Sequence, residues 1–155
     1  MGFRIFCRIW FLCFSAMLWA QEIYFEDDFE SGVLNPNFWD ASPSGATIRI
    51  GEAAQGQYSA YLGGAGTNYL DLTVDLSGTN QAELEFNYRD YGSSGHPLTG
   101  LWLSPDGGNH FVKVFSFLPE RWSTCWGAWP RFDLDQLAAQ AGLRFNSQFM
   151  IRFQH

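Results

Sequence analysis

Basic residues are scarce in this chain. Nine Lys and Arg stand against sixteen Asp and Glu, for a net charge of −7 over 155 residues. An acidic surface repels phosphate backbones and anionic lipid, which argues against a nucleic-acid partner. Long apolar runs are lacking too. Ile9–Trp19 is shorter than the roughly 20 apolar residues that a membrane-spanning helix needs. Histidine is limited to His96, His110 and His155, with no spacing that makes a metal cluster. Cysteine is limited to Cys7, Cys13 and Cys125. Heptads, low-complexity tracts and internal repeats are missing, and Gly63–Gly66 has no following helix to cradle a phosphate.

What is present begins with MGFRIFCRIWFLCFSAMLWA. Arg4 and Arg8 precede a short apolar stretch that closes on Ala20. A basic start, a short apolar middle and a small final residue read as a secretory signal peptide over residues 1–20. Leu18 is larger than the usual residue three places before a cut, but cleavage is expected after Ala20. An uncleaved anchor is the competing reading and fits the flanks less well. Phe11-Leu12-Cys13 lacks the small residue expected before a lipidated cysteine. Residues 21–155 then form one domain by length, large enough to bury about two-thirds of its unfolded surface. Only Cys125 is left, so no internal disulfide can form, and Cys125 reads as a small buried hydrophobe. Export without a disulfide framework suits a bacterial envelope. Loss of Arg4 and Arg8 leaves seven basic residues and a net charge of −9. The expected location is secreted or cell-surface, with no transmembrane segment in residues 21–155.

Short alternating runs between Gly, Pro, Asn and Asp clusters predict an all-β sandwich. In YLDLTVDL, residues 69–76, Leu70, Leu72, Val74 and Leu76 share one face. Tyr69, Asp71, Thr73 and Asp75 share the other, which is expected to be wet. AELEFNYRD, 82–90, repeats the pattern with Ala82, Leu84, Phe86 and Tyr88 inward. GLWLS (100–104) and HFVKVFSF (110–117) flank Asp106-Gly107-Gly108, a hairpin signal. Weaker strands are expected near 46–50 and 57–63. One helix is expected near 134–141: Asp133 can cap it, Gln136 follows three residues on, and Gly142 can end it. SQFMIRFQ then alternates again through Phe149, Ile151 and Phe153.

The segment QEIYFEDDFESG, 21–32, combines strand alternation with four acids. On strand phase, Asp27 falls with Ile23, Phe25 and Phe29, while Glu26, Asp28 and Glu30 share the other face. Like charges two apart on one face repel, and a divalent cation would remove the repulsion. The plainer reading is a solvated acidic edge that blocks strand pairing.

The set FEDDFESGVLNPNFW, LEFNYRDYGSSGHP…GLWLSPDGGNHFVKV and FDLDQLAAQAG…FMIRFQ resembles the concanavalin A-like jelly-roll domains of exported bacterial surface proteins, relatives of MAM and laminin-G domains. The resemblance covers most of residues 23–154. It implies a jelly-roll β-sandwich of two antiparallel sheets. It also implies a non-catalytic binding or adhesion module, with a glycan or cell-surface protein as ligand, inside a larger surface protein. Such domains close with a further strand that carries an Asp pair. Nothing in this chain matches that strand after His155, so either the chain is truncated, which is the expected case, or another chain supplies the strand. The resemblance further implies a structural Ca2+, with Glu30 as side-chain ligand, Asp28 as carbonyl donor and a closing-strand Asp that this chain lacks. Calcium takes six or more oxygens, of which these are only a few.

Two further readings compete. Jelly-roll glucanases carry Glu-x-Asp-x-Glu on a strand, and Glu83-Leu84-Glu85-Phe86-Asn87 is a partial echo in which Asn87 can neither donate a proton as an acid nor attack. A purely structural spacer is the other. Among aromatic residues, Trp122, Trp126 and Trp129 cluster in RWSTCWGAWP. Tyr88, Arg89, Asp90, Tyr91 and His96 mark a loop suited to a binding rim. Core or hairpin packing is the commoner use of such aromatics.

Overall fold

The computed structural model describes residues 7–12, 21–42, 45–51, 53–64, 66–88, 96–117 and 131–155; for 7–12 and 21–24 only the backbone is described. Trp122, Cys125, Trp126, Trp129, Arg89, Asp90 and Tyr91 lie outside these residues, as do residues 1–6 and 13–20 of the expected leader. The described chain is all-β apart from one short helix. Its strands are β1 (Cys7–Leu12), β2 (Gln21–Asp27), β3 (Trp39–Ala41), β4 (Ala46–Ile50), β5 (Tyr58–Leu62), β6 (Tyr69–Val74), β7 (Glu83–Glu85), β8 (Gly100–Ser104), β9 (Val112–Ser116), β10 (Arg131–Asp133) and β11 (Phe149–Gln154). The helix α1 spans Leu134–Gln140.

Two antiparallel sheets make the sandwich, with orders β10-β7-β1-β2 and β3-β6-β11-β8-β9; β4 and β5 form a separate hairpin. The chain crosses between sheets repeatedly, so strands distant in sequence become neighbours. The core lies between the sheets. Leu84, Phe86 and Phe132 meet Leu70, Leu72, Leu101, Leu103, Ile151 and Phe153, all buried. Phe86 joins the layers: its ring stands edge-on to Phe153 at 5.0 Å and stacks on Phe132 at 5.4 Å. Phe115 of β9 meets Phe132 edge-on at 4.9 Å. Such aromatic pairs add about 1 kcal/mol each beyond area burial.

The expected helix forms with its expected caps. Asp133 accepts a hydrogen bond from the Gln136 amide at 2.8 Å. Gly142 takes φ 71°, which lets the Leu143 amide reach back to the Ala138 carbonyl at 2.8 Å. Leu134 and Ala138 are buried, so packing holds this two-turn helix. The Asp-Gly-Gly turn joins β8 to β9 with Gly107 and Gly108 at positive φ.

One expectation about strand faces is corrected. Asp71, assigned to a wet face, is 2% exposed. The cause is its neighbours: β6 is a central strand, and Arg152 of β11 sits directly opposite Asp71 and covers it. A second finding concerns the N-terminus. Cys7–Leu12, which the sequence places in a leader, lies as a strand between β2 and β7. Among the described residues no helix is long and apolar enough to cross a membrane.

Candidate functional site

β2 ends at Asp27, and the alternation of the acidic segment ends with it. Phe29 adopts φ 62°, a left-handed conformation that is rare for a bulky residue. The chain reverses there, with the Gly32 amide donating to the Phe29 carbonyl at 3.0 Å. The acids therefore do not line one strand face, and each has its own work. Asp27 accepts from the Phe29 amide at 2.8 Å and from the Trp39 indole N–H at 2.7 Å. Asp28 accepts from the Glu30 amide at 3.0 Å. Glu30 reaches across sequence: its Oε1 accepts from the amides of Gln57 and Tyr58 at 2.8 and 2.9 Å. It latches the start of the β4–β5 hairpin's second strand onto the turn.

These hydrogen bonds bear on calcium. One oxygen of each carboxylate is engaged by backbone N–H groups, Asp28 Oδ1 by one and Glu30 Oε1 by two, while the Asp28 role that the resemblance implies falls on its carbonyl. Among the described residues, no group of three or more His, Cys, Asp or Glu gathers as metal ligands. Calcium takes six to eight oxygens, backbone carbonyls among them.

The turn supports a surface feature that lies just beyond it. Asn35 Oδ1 accepts from the Asn37 amide at 3.0 Å, and the Asn35 carbonyl accepts from the amides of Phe38 and Trp39 at 3.1 and 2.9 Å. This tight Asn-Pro-Asn bend lifts Phe38, which is 43% exposed. The Phe38 carbonyl accepts from the Thr73 amide at 2.9 Å, so its backbone is tied to β6. Behind it, rings run inward from the surface: Phe38 to Phe25 at 5.3 Å, Phe25 to Trp39 at 5.5 Å and Trp39 to Phe29 at 5.6 Å. Asp27, held by Trp39, pins the buried end of the row.

Phe38 and Phe25 form a ridge between two grooves. One, of about 630 Å³, is lined by Glu26, Asp27, Val33 and Asn35 among others. The second, of about 420 Å³, is lined by Thr73, Val74, Asp75 and Ser77. Asp75 lies below the usual carboxylate range because the Ser77 hydroxyl and amide both donate to it. It is an ionised acceptor at neutral pH. An exposed ring flanked by carboxylate and amide oxygens can stack on a sugar face while the oxygens take hydroxyl protons.

The other sequence candidates are placed as follows. Glu83 and Glu85 sit on β7, with Asp133 and Arg131 of β10 at the opposed positions. Glu85 pairs with Arg131 at 3.4 Å, and Asn87 is buried. Tyr88 is buried against Phe117, with ring centroids 4.9 Å apart, rather than at a rim. His96 closes its own turn by accepting from the Leu98 amide. Ser104, Asp106 and His110 meet on the β8–β9 turn. The carboxylate lies between the hydroxyl, at 2.8 Å, and the imidazole, at 2.6 Å. A nucleophile needs its base beside it, so this order makes a turn lock and no triad. Phe38 was not singled out by its sequence; the only signal was the Asn35-Pro36-Asn37 turn before an aromatic pair.

No family model matches this chain, and neither a curated protein nor a solved structure matches it.

Proposed function

We propose that this chain is an exported, non-catalytic binding module of the concanavalin A-like jelly-roll kind, and that it takes a glycan along the Phe38 ridge. One observation carries the reading: a 43%-exposed Phe ring stands between two grooves, backed by a fixed aromatic row and rimmed by acceptor oxygens. A flat, rigid, amphipathic platform suits sugar rings, which present C–H faces and hydroxyl edges. Among the described residues that line the grooves, none is a base held against a nucleophile, which favours binding over chemistry. Export is supported by the composition of residues 1–20, and the acidic surface keeps polyanions away.

Titration against a panel of neutral polysaccharides tests the reading. Binding is expected, and Phe38→Ala is expected to weaken it about tenfold or more, equivalent to ~1.4 kcal/mol. Silence across the panel would sink it, and so would binding that ignores Phe38. The glucanase reading has its own assay: hydrolysis of β-glucans lost in Glu83→Gln.

A further inference from the structure

We propose that the slot between β2 and β7 is a strand-acceptor site, whose ligand is an extended peptide with a basic residue followed by an apolar one. Cys7–Leu12 is the chain's own occupant, and a peptide of the same pattern from another polypeptide takes its place when residues 1–20 are removed. The proposal does not rest on glycan binding, which concerns the Phe38 ridge.

The sheet order puts β1 alone between β2 and β7. Its partners on one side run from Cys7↔Asp27 to Leu12↔Gln21, and on the other from Arg8↔Glu85 to Trp10↔Glu83. Among the described residues, β2 has no other partner in its sheet. Without β1, both neighbours would face each other across two strand spacings, about 10 Å, with the backbone N–H and C=O groups that now meet β1 left unpaired, while β7 keeps β10 on its other side. That gap admits one extended chain. An unpaired edge is a template for another strand, and strand addition draws its affinity from main-chain hydrogen bonds.

Specificity comes from what flanks each register position. The Ile9 position lies between Phe25 and Leu84, which are 6% and 0% exposed and belong to the core. An apolar residue at that register position matches the apolar neighbours on both sides, and a polar one does not. The preceding position, Arg8, lies between Glu26 and Glu85. Opposite charges directly across a sheet stabilise the pairing, and like charges destabilise it. The slot therefore reads basic-then-apolar. That same pattern sits in a segment with the composition of a cleavable leader. Its removal would take the strand between β2 and β7 out of the sheet and leave the slot for another chain.

The test uses the full chain with a specific protease sequence placed within residues 13–20. After folding and nicking, a fluorescent peptide of residues 5–14, with Ser at both cysteine positions, is added. The peptide is expected to enter the nicked chain and not the uncut one, and to raise the melting temperature of the nicked chain with concentration. Peptide Arg8→Glu is expected to bind at least tenfold more weakly, and Ile9→Asp to fail. Where the native strand stays bound after nicking, dilution of the nicked chain from denaturant into excess labelled peptide forces the exchange. Refolding without uptake of label overturns the proposal, and so does equal uptake of a scrambled peptide. Hydrogen exchange on the uncut chain is an independent check. Protected amides over Cys7–Leu12 are expected; exchange there at the rate of an unstructured segment overturns the proposal.

Discussion

Arg152 closes on Asp71 through two parallel hydrogen bonds of 2.8 Å, from Nε and Nη2 to the two carboxylate oxygens. The guanidinium lies against the rings of Phe111 and Tyr69, with its central carbon 3.7 and 4.3 Å from their centroids. Burial first, with the Asp40 carboxylate opposite, raises the Asp71 carboxyl above its ordinary value although Arg152 pulls it down. The pair is therefore a costly element that packing holds in place. Asp71→Ala leaves a largely covered guanidinium unpaired and should cost about 3 kcal/mol. Asp71→Leu combined with Arg152→Met should return stability to within about 1 kcal/mol of the parent. Denaturant midpoints of the three variants check both values.

Asp27 joins β2 to β3 through the Trp39 indole. Trp39 is buried, so Asp27→Ala strands its N–H and should cost about 1–3 kcal/mol. If the Phe38 ridge binds glycan, the same variant should also weaken binding, because the row behind Phe38 loses its fixed end. Trp fluorescence and thermal melting report the first effect; titration reports the second.

Glu30 and Gly56 are matched. A Cβ on Gly56 would run into the Glu30 carboxylate, and Gly56 has φ 69°. Gly56→Ala should therefore destabilise the fold by about 1–2 kcal/mol through both strain and loss of the latch. Adding Glu30→Ala should cost less than it does in the parent, since the latch is already broken. A double-mutant cycle measures the coupling.

The same latch sets the expectation for calcium. With the Asp28 and Glu30 carboxylates engaged by backbone amides, melting in millimolar calcium and in chelator should coincide. A rise of several degrees in calcium would mean that other oxygens complete a site on these residues.

Asp106 is held down to about 2 by the His110 side chain first, then by the His110 amide and the Ser104 hydroxyl. A carboxyl lowered in the folded state contributes stability above its unfolded value of 3.8 and loses it as pH falls through the folded value. The stability difference between the parent and Asp106→Asn should be constant above about pH 4 and shrink toward pH 2. Chemical denaturation across that window checks the sign.

Local rules reached the strands and stopped at their partners. Alternation through Leu70, Leu72 and Val74 marked β6, and the caps at Asp133 and Gly142 marked α1, because side-chain period and cap chemistry act within a few residues. The Asp-Gly-Gly hairpin was legible for the same reason. The fate of the polar face was not. Asp71 became buried because Arg152, 81 residues away, came to lie opposite it.

The acids of QEIYFEDDFESG carry the same lesson. Their number and spacing were plain in the sequence, as was the Asn-Pro-Asn turn that follows. Tertiary structure alone decided that Phe29 would reverse the chain, that Glu30 would find the amides of Gln57 and Tyr58, and that Phe38 would stand exposed between two grooves. It alone placed Cys7–Leu12 between β2 and β7. Period and turn chemistry are properties of a short segment. Sheet order and register are set by which distant segments bury each other's apolar faces, and that competition involves the whole chain.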